Sequence, residues 1–305
     1  RGQVRAVDGV SLHVNEGETL AIVGESGSGK SVTALSILQL LGDAGRIDRG
    51  RVIFEGTDLA QLSVAGIRKI RGDRIAMIFQ EPMSSLNPVL TIGKQVAEPI
   101  WLHRKMSWQE AFVKAGELLE KVAIPDAKAR LDDYPHQFSG GMRQRVMIAM
   151  ALACEPKLII ADEPTTALDV TVQAQILSLL KHLTQETNSS LILITHDLGV
   201  VARYADRVAV MYGGRVVETA SARDLYKKPQ HPYTEGLMAS VPTLDGTPGA
   251  RLQTIAGQPP DLANLPEGCA FSPRCPYVSS ECKSSKPALL EVGPNHLRAC
   301  FCYGN

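Results

Sequence analysis

Residues 24–31 read Gly24-Glu25-Ser26-Gly27-Ser28-Gly29-Lys30-Ser31 and fit the pattern G-x-x-x-x-G-K-[ST]. An apolar run of strand length, Thr19–Val23, precedes this loop, and the residues from Val32 onward have the apolar spacing of a helix. Glycines let the backbone direct several N–H groups at one anion, and the start of the helix adds partial positive charge. The loop and Val32 are therefore predicted to bind the phosphates of a nucleoside triphosphate.

The last two residues of this loop are predicted to have separate tasks. Lys30 can reach the β- and γ-phosphates, and the Ser31 hydroxyl is a ligand for Mg²⁺. The alternative interpretation is a flexible Gly/Ser loop that binds nothing. The strand before the loop and the helix after it favour the phosphate site.

Composition narrows the possible functions. The 305 residues include 32 basic and 32 acidic side chains without a basic block, which argues against a nucleic-acid-binding surface. No apolar run reaches the roughly 18 residues of a membrane span, and no signal-peptide pattern occurs. Five of the six cysteines fall within residues 269–305. We expect a soluble, globular chain.

Alternating strand and helix patterns predict a mainly parallel α/β sheet. Four polar residues come at or just past the ends of predicted strands: Gln80, Asp162, Glu163 and His196. Because the carboxyl ends of parallel strands lie at one edge of a sheet, we expect these residues to converge with the loop.

A change in composition and periodicity near residue 231 predicts two domains. Residues 1–230 form the α/β core, with a small antiparallel sheet from Val4–Val14 and Arg51–Phe54 and a helical subdomain at about residues 90–155. Residues 231–305 are rich in Pro, Gly and Cys and have few periodic runs. This tail is predicted to be a small irregular domain.

Asp162 and Glu163 close an apolar strand and form a pair of carboxylates with separate predicted tasks. Asp162 helps to hold Mg²⁺, and Glu163 polarises the attacking water as a general base. A solvated acidic pair at a strand end is the alternative. The presence of Lys30 upstream favours the catalytic pair.

The motifs resemble those of the ATP-binding subunits of ABC transporters over about residues 1–230. The resemblance implies a P-loop, RecA-like core that binds ATP and Mg²⁺ and hydrolyses ATP to ADP and phosphate. The motifs occur in that family's order: the Walker A loop at Gly24–Ser31, the Q-loop at Gln80, the signature at residues 139–143, the Walker B strand at residues 158–163, the D-loop at residues 167–169 and the H-loop at His196.

The signature reads Phe138-Ser139-Gly140-Gly141-Met142, which differs at both ends from the common Leu-Ser-Gly-Gly-Gln. Ser139, Gly140 and Gly141 open a predicted helix and so form a second anion-binding helix start. The resemblance implies that two cassettes pack head to tail, with these three residues of one cassette facing the γ-phosphate held by the other. An ordinary helix cap is the alternative.

The resemblance also implies roles for three further residues. Gln80 senses Mg²⁺ and water, His196 contacts the γ-phosphate and steadies the water and Glu163, and Asp169 acts across the interface between cassettes. Family members usually stack adenine on an aromatic residue near the N-terminus. Because no aromatic residue precedes Phe54, we expect that residue to lie upstream of Arg1.

Three longer stretches and the cysteine-bearing tail are similar to the oligopeptide and dipeptide importer ATPases: residues 79–88, 134–145 and 230–234. This resemblance implies a subunit on the cytoplasmic face of a bacterial cell membrane that powers peptide import. Its implied partners are a second ATPase subunit, the same or a sister chain, two transmembrane permease subunits and an extracellular peptide-binding protein. The alternatives are an importer ATPase for nickel or another small solute, and a soluble ABC ATPase of DNA repair or translation.

Cys269, Cys275, Cys282 and Cys300 form the remaining candidate site. A cytosolic chain keeps its thiols reduced, so disulfides are not expected. The first two spacings, of five and six intervening residues, are wider than the C-x2-4-C steps of zinc sites, and thiolates suit an iron–sulfur cluster. The resemblance to importer ATPases with such a tail implies a [4Fe–4S] cluster at these four positions. Zinc and unligated thiols are the alternatives.

Overall fold

The computed structural model describes residues 4–43, 45–166, 168–240 and 254–301. Its packing divides the chain into two compact units. The first unit comprises Arg1–His13, Thr19–Thr33 and Ile194–Asn305, and the second comprises Val14–Glu18 and Ala34–Leu193. The candidate phosphate loop and the cysteine-bearing tail therefore belong to the same unit.

Strands and helices alternate along most of the chain, as predicted for the α/β class. The strands of the described residues are β1 (Thr19–Val23), β2 (Ile53–Phe54), β3 (Thr57–Asp58), β4 (Ile75–Ile78), β5 (Leu158–Asp162), β6 (Ser190–Thr195), β7 (Arg207–Tyr212), β8 (Arg215–Ser221), β9 (Leu290–Gly293) and β10 (His296–Arg298). Their α-helices are α1 (Lys30–Ile37), α2 (Val64–Ile70), α3 (Pro82–Ser85), α4 (Ile92–His103), α5 (Trp108–Lys121), α6 (Gly140–Leu152), α7 (Val170–Glu186), α8 (Leu198–Tyr204), α9 (Ala222–Lys227), α10 (Pro232–Ala239) and α11 (Ser280–Ser284). Within the described residues, none of these helices combines the length and the hydropathy needed to span a membrane.

The first unit is built on strand β1, all five residues of which are buried. β1 pairs in parallel with β7, and β7 turns back into the antiparallel strand β8. The turn is Gly213-Gly214, and both residues have positive φ, as a tight two-residue hairpin requires. β8 pairs with β10, and β10 pairs with β9, so the tail of the chain extends this sheet.

The hydrophobic core of the first unit includes both β1 and the tail. Apolar side chains of β1, β7, β8, α8 and α9 pack together with Tyr233 of α10 and with Phe271. Ile255 and Cys269 pack against the same cluster. The predicted separate cysteine-rich domain is therefore not confirmed, and the predicted boundary near residue 230 stays a prediction.

In the second unit, strands β4 and β5 are parallel, with Ile78 opposite Ala161. Residues that follow the two strands, Gln80 and Glu163, consequently leave the pair at the same end. Strands β2 and β3 form an antiparallel hairpin, and β2 lies within the predicted strand Arg51–Phe54. Helices α4, α5 and α6 contact one another.

Local hydrogen bonds fix the helix starts of the second unit. Ser107 and Glu110 form a reciprocal capping box at the start of α5. The Ser139 hydroxyl accepts from Met142 N at the start of α6, and the Asp169 carboxylate accepts from Val172 N at the start of α7. Such caps satisfy backbone N–H groups that have no partner within the helix.

One strand prediction is wrong. Residues 4–14 form no strand, although their apolar and polar residues alternate. The Asp8 N–H donates to Gly214 O over 2.8 Å, while the Asp8 carboxylate pairs with Arg215 and Lys286. An isolated backbone bond does not make the repeated ladder that defines a sheet, so alternation alone misled the prediction.

Candidate functional site

The phosphate loop connects β1 to α1, which begins at Lys30. Gly24 and Gly29 both have φ in the left-handed half of the map, at 153° and 99°. A Cβ atom at Gly24 would lie 2.2 Å from Met211 O, and one at Gly29 would lie 2.5 Å from Ala6 O. Only glycine allows this close packing of the loop where the helix begins.

Lys30 folds back over the loop. It is only 5% exposed, and its Nζ atom donates to Gly24 O at 2.7 Å and to Glu25 O at 3.0 Å. The Ser28 hydroxyl is buried and has no hydrogen-bond partner in the described part of the chain. A buried ammonium group and an unsatisfied hydroxyl near a helix start fit a phosphate ligand.

In the second unit, the structure brings Gln80 and Glu163 together. Gln80 Nε2 donates to Glu163 Oε2 at 3.1 Å, and Thr166 Oγ1 donates to the same oxygen at 3.0 Å. The backbone of Glu163 has φ of 46°, which is uncommon for a residue other than glycine. Strained backbone of this kind often occurs at functional sites. These two contacts hold the Glu163 carboxylate in one orientation.

Asp162 is the last residue of β5 and is 6% exposed. The side chains predicted to bind Mg²⁺ are its carboxylate, the Ser31 hydroxyl and the Gln80 amide. All three supply hard oxygen atoms, which are the ligands that Mg²⁺ prefers. The chemistry of this donor set therefore fits the ion.

The signature residues lie at the exposed start of α6. Ser139 and Gly140 are exposed, and Ser139 Oγ accepts from Met142 N at 3.3 Å. A Cβ atom at Gly141 would lie 2.9 Å from Cγ1 of Val172 in α7. Glycine at this position lets α6 approach α7 closely, which holds the helix start in place.

Asp169 and His196 are both exposed, and each lies next to the end of a helix or strand in the chain. Asp169 Oδ1 accepts from Val172 N at 2.9 Å, so the residue caps α7. His196 directly follows β6, and Asp197 caps α8. The roles predicted for Asp169 and His196 stay predictions, and Ala167 of the predicted D-loop lies outside the described residues.

Two residues that the sequence did not single out contact the phosphate loop. The Tyr233 hydroxyl accepts a hydrogen bond from Glu25 N at 2.8 Å. Arg274 donates from both terminal nitrogens to the Glu25 carboxylate, at 2.7 and 3.1 Å. These partners are 208 and 249 residues from Glu25. No local pattern marks such distant pairs, although Tyr233 falls within one of the family-like stretches.

The prediction of a [4Fe–4S] cluster is wrong. Within residues 4–43, 45–166, 168–240 and 254–301, no group of three or more His, Cys, Asp or Glu residues is placed to hold a metal ion. The zinc alternative has the same difficulty. The alternative of unligated thiols stays a prediction.

The environment of Cys269 gives one physical reason for this result. Cys269, Cys275, Cys282 and Cys300 line one small apolar cavity. Burial raises the pKa of Cys269 to about 11, so this thiol stays protonated at neutral pH. The sulfur of Cys282 lies 3.3 Å from the Ser279 hydroxyl. Metals bind the thiolate, and burial works against that form.

Comparisons with known proteins show which family the chain resembles. The family model for ABC transporters matches residues 7–166, and the model for the oligopeptide/dipeptide transporter C-terminal region matches residues 217–282. The chain is 53% identical to the oligopeptide transport ATP-binding protein AppD of Bacillus subtilis, over 98% of this chain and 92% of AppD. It is also 53% identical to OppD of Escherichia coli, over 98% of this chain and 88% of OppD.

Solved structures show the same fold. The ATP-binding cassette MJ0796, in a dimeric post-hydrolysis state bound to ADP and Pi, matches with a TM-score of 0.62 and 34% identity, over 72% of this chain and 91% of that one. CbiO1 from Clostridium perfringens, part of the ABC transporter complex cbiONQ, matches with a TM-score of 0.63 and 29% identity, over 73% and 84%. The chain therefore belongs to the ABC transporter family, among the oligopeptide transport ATP-binding proteins.

Proposed function

We propose that this chain hydrolyses ATP to ADP and phosphate and thereby powers the import of dipeptides and oligopeptides through a membrane permease. The observation that carries the ATPase activity is the contact between Gln80 and Glu163, at the end of two parallel strands. The peptide cargo is supported by the names of the two relatives, which match nearly the whole chain. No feature of the site favours nickel import or a soluble role in DNA repair or translation.

ATP binding is assigned to the phosphate loop, Gly24–Ser31, and to Val32. Lys30 Nζ donates to Gly24 O and Glu25 O, and in the proposed complex it turns to oxygens of the β- and γ-phosphates. The start of α1 adds partial positive charge to the same anion.

Hydrolysis is assigned to the Glu163 carboxylate. It takes a proton from the attacking water, and the donors Gln80 and Thr166 keep its Oε2 atom in one orientation. Ser31, Gln80 and Asp162 would hold Mg²⁺, which would supply positive charge against the phosphates. His196 is assigned to the γ-phosphate.

A second ATPase subunit is proposed to complete the site. The exposed helix start at Ser139–Gly141 would contact the γ-phosphate bound by the partner, and Asp169 would lie at that interface. The dimeric state of the cassette MJ0796 supports this arrangement. The further partners proposed are two transmembrane permease subunits, which place the chain on the cytoplasmic face of the membrane, and an extracellular peptide-binding protein.

Peptide uptake tests the cargo. An Escherichia coli strain without its own OppD, given this chain together with its second ATPase subunit, permease subunits and peptide-binding protein, should take up a labelled tripeptide. The Glu163→Gln variant at equal expression is the control and should not support uptake. Uptake of nickel rather than of peptide would overturn the proposed cargo while leaving the ATPase assignment intact.

A further inference from the structure

The side chain of Glu25 lies within the loop that is proposed to bind a triphosphate. A carboxylate there would repel the phosphates, because like charges a few ångströms apart interact unfavourably. Glu25 is joined to Arg274, a residue of the tail, by two hydrogen bonds. We propose that Arg274 is a positioning residue for ATP binding, which neutralises Glu25 and holds its carboxylate on the side of the tail. The inference rests on the proposed function, since it requires ATP at this loop.

The contact between Arg274 and Glu25 has the geometry of a strong ion pair. Each terminal nitrogen of the guanidinium donates to a different carboxylate oxygen, at 2.7 and 3.1 Å. Bidentate pairs of this kind fix both the orientation and the charge of the carboxylate. The Arg274 side chain is only 5% exposed and that of Glu25 is 25% exposed, so water screens the pair less than it screens a surface pair.

The tail holds the guanidinium in place from the other side. Arg274 Nε donates to Ala256 O at 2.9 Å, and one terminal nitrogen donates to Ile255 O at 3.3 Å. The other terminal nitrogen donates to the Tyr212 hydroxyl at 3.3 Å. The hydrogen bond to Glu25 raises the pKa of Arg274 above its ordinary value, so the group stays charged. These hydrogen bonds hold the Arg274 side chain in place independently of its contact with Glu25.

Aromatic side chains enclose the same contact. The guanidinium carbon of Arg274 lies 5.8 Å from the ring centre of Tyr212 and 6.0 Å from that of Phe271, within range of cation–π attraction. Tyr233 packs against both rings and accepts from the Glu25 N–H. The tail therefore holds both the side chain and the backbone of Glu25.

The test is the dissociation constant of MgATP for the purified full-length chain, measured by calorimetry. Arg274→Gln should weaken binding by about tenfold, because it leaves the Glu25 charge beside the phosphates. The double variant Arg274→Gln with Glu25→Gln should recover an affinity within about threefold of the wild type. High salt should shrink the defect of Arg274→Gln, since it screens the repulsion.

Two further variants keep the test decisive if Arg274→Gln folds poorly. Arg274→Lys keeps the charge without the bidentate fork and should give an intermediate affinity. Arg298→Gln is the matched control, because Arg298 also belongs to the tail but donates to Gln230 rather than to the loop. Its affinity for MgATP should equal that of the wild type.

Unchanged affinity in Arg274→Gln, or a loss that Glu25→Gln does not relieve, would overturn the inference and leave Arg274 a purely structural residue. Lys30→Ala separates this failure from failure of the proposed function. If Lys30→Ala loses MgATP while Arg274→Gln binds it normally, only the inference fails. If Lys30→Ala binds MgATP as the wild type does, the proposed site itself fails.

Discussion

The phosphate loop and the cysteine-bearing tail both have sequence patterns typical of a ligand site, but only the loop has a structure that fits its ligand. The loop is contiguous, and close packing around Gly24 and Gly29 shapes its backbone locally. The four cysteines are separated by irregular stretches of the tail, so their placement depends on how the tail packs. Residue spacing is a good guide to a site when the backbone between the residues is short and regular.

The tail instead contacts the phosphate loop and the strand before it through residues other than its cysteines. Phe271 and Tyr233 share a hydrophobic core with β1, and Arg274 pairs with Glu25. The role of the tail therefore differs from the one that its cysteines predict. Its described contacts support the nucleotide loop, rather than a separate metal centre.

The largest expected effect is on ATP turnover at the nucleotide site. Glu163→Gln removes the general base and should lower ATP turnover by about 10²–10⁴-fold, while MgATP binding stays intact. Phosphate release by the purified chain measures turnover, and calorimetry measures binding. Because ATP is bound but not cut, the variant should also form an ATP-dependent dimer in size-exclusion chromatography. Turnover equal to that of the wild type would remove Glu163 from the role of base.

At the tail, the Cys269 thiol should react slowly. Since burial raises the pKa of Cys269 to about 11, its thiolate fraction should grow about tenfold for each pH unit below that value. Alkylation by iodoacetamide, followed by mass spectrometry between pH 7.5 and 9.5, gives the rate for each cysteine. A Cys269 rate that levels off near pH 8.5 would indicate an ordinary thiol and would contradict the explanation given for the absent metal site.

The smallest effect is expected on the acid stability of the tail. Burial, with a smaller contribution from Arg298, lowers the pKa of His231 to about 3. His231 Nδ1 accepts from Tyr233 N at 3.1 Å, so the ring must stay neutral there. Between pH 6.5 and 3 the unfolded chain binds a proton that the folded chain does not, so the free energy of unfolding falls as the pH falls. The slope from this group should be on the order of 1 kcal/mol per pH unit.

Urea unfolding at pH 7 and pH 5 measures this slope. His231→Asn is the control, because asparagine can cap α10 and does not titrate. The variant should lose less stability between the two pH values than the wild type. An equal loss in both proteins would show that His231 does not contribute to the acid sensitivity.

Much of the candidate site could be predicted because it depends on local pattern. The strand Thr19–Val23, the loop and the helix that follows are contiguous, and each has its own signal. The contact of Gln80 with Glu163 could be expected because parallel strands end at one edge of a sheet. The pair of Arg274 and Glu25 could not, because 249 residues separate the partners and no periodicity connects them.

Equilibrium binding of MgATP to the wild type and to Lys30→Ala tests the central claim, that residues 24–31 form the nucleotide site, most directly. The wild type should bind one MgATP per chain, and Lys30→Ala should bind it about 10–100-fold more weakly, since a charged hydrogen-bond donor to the phosphates is lost. Equal dissociation constants for the two folded proteins would contradict the assignment of residues 24–31 as the nucleotide site.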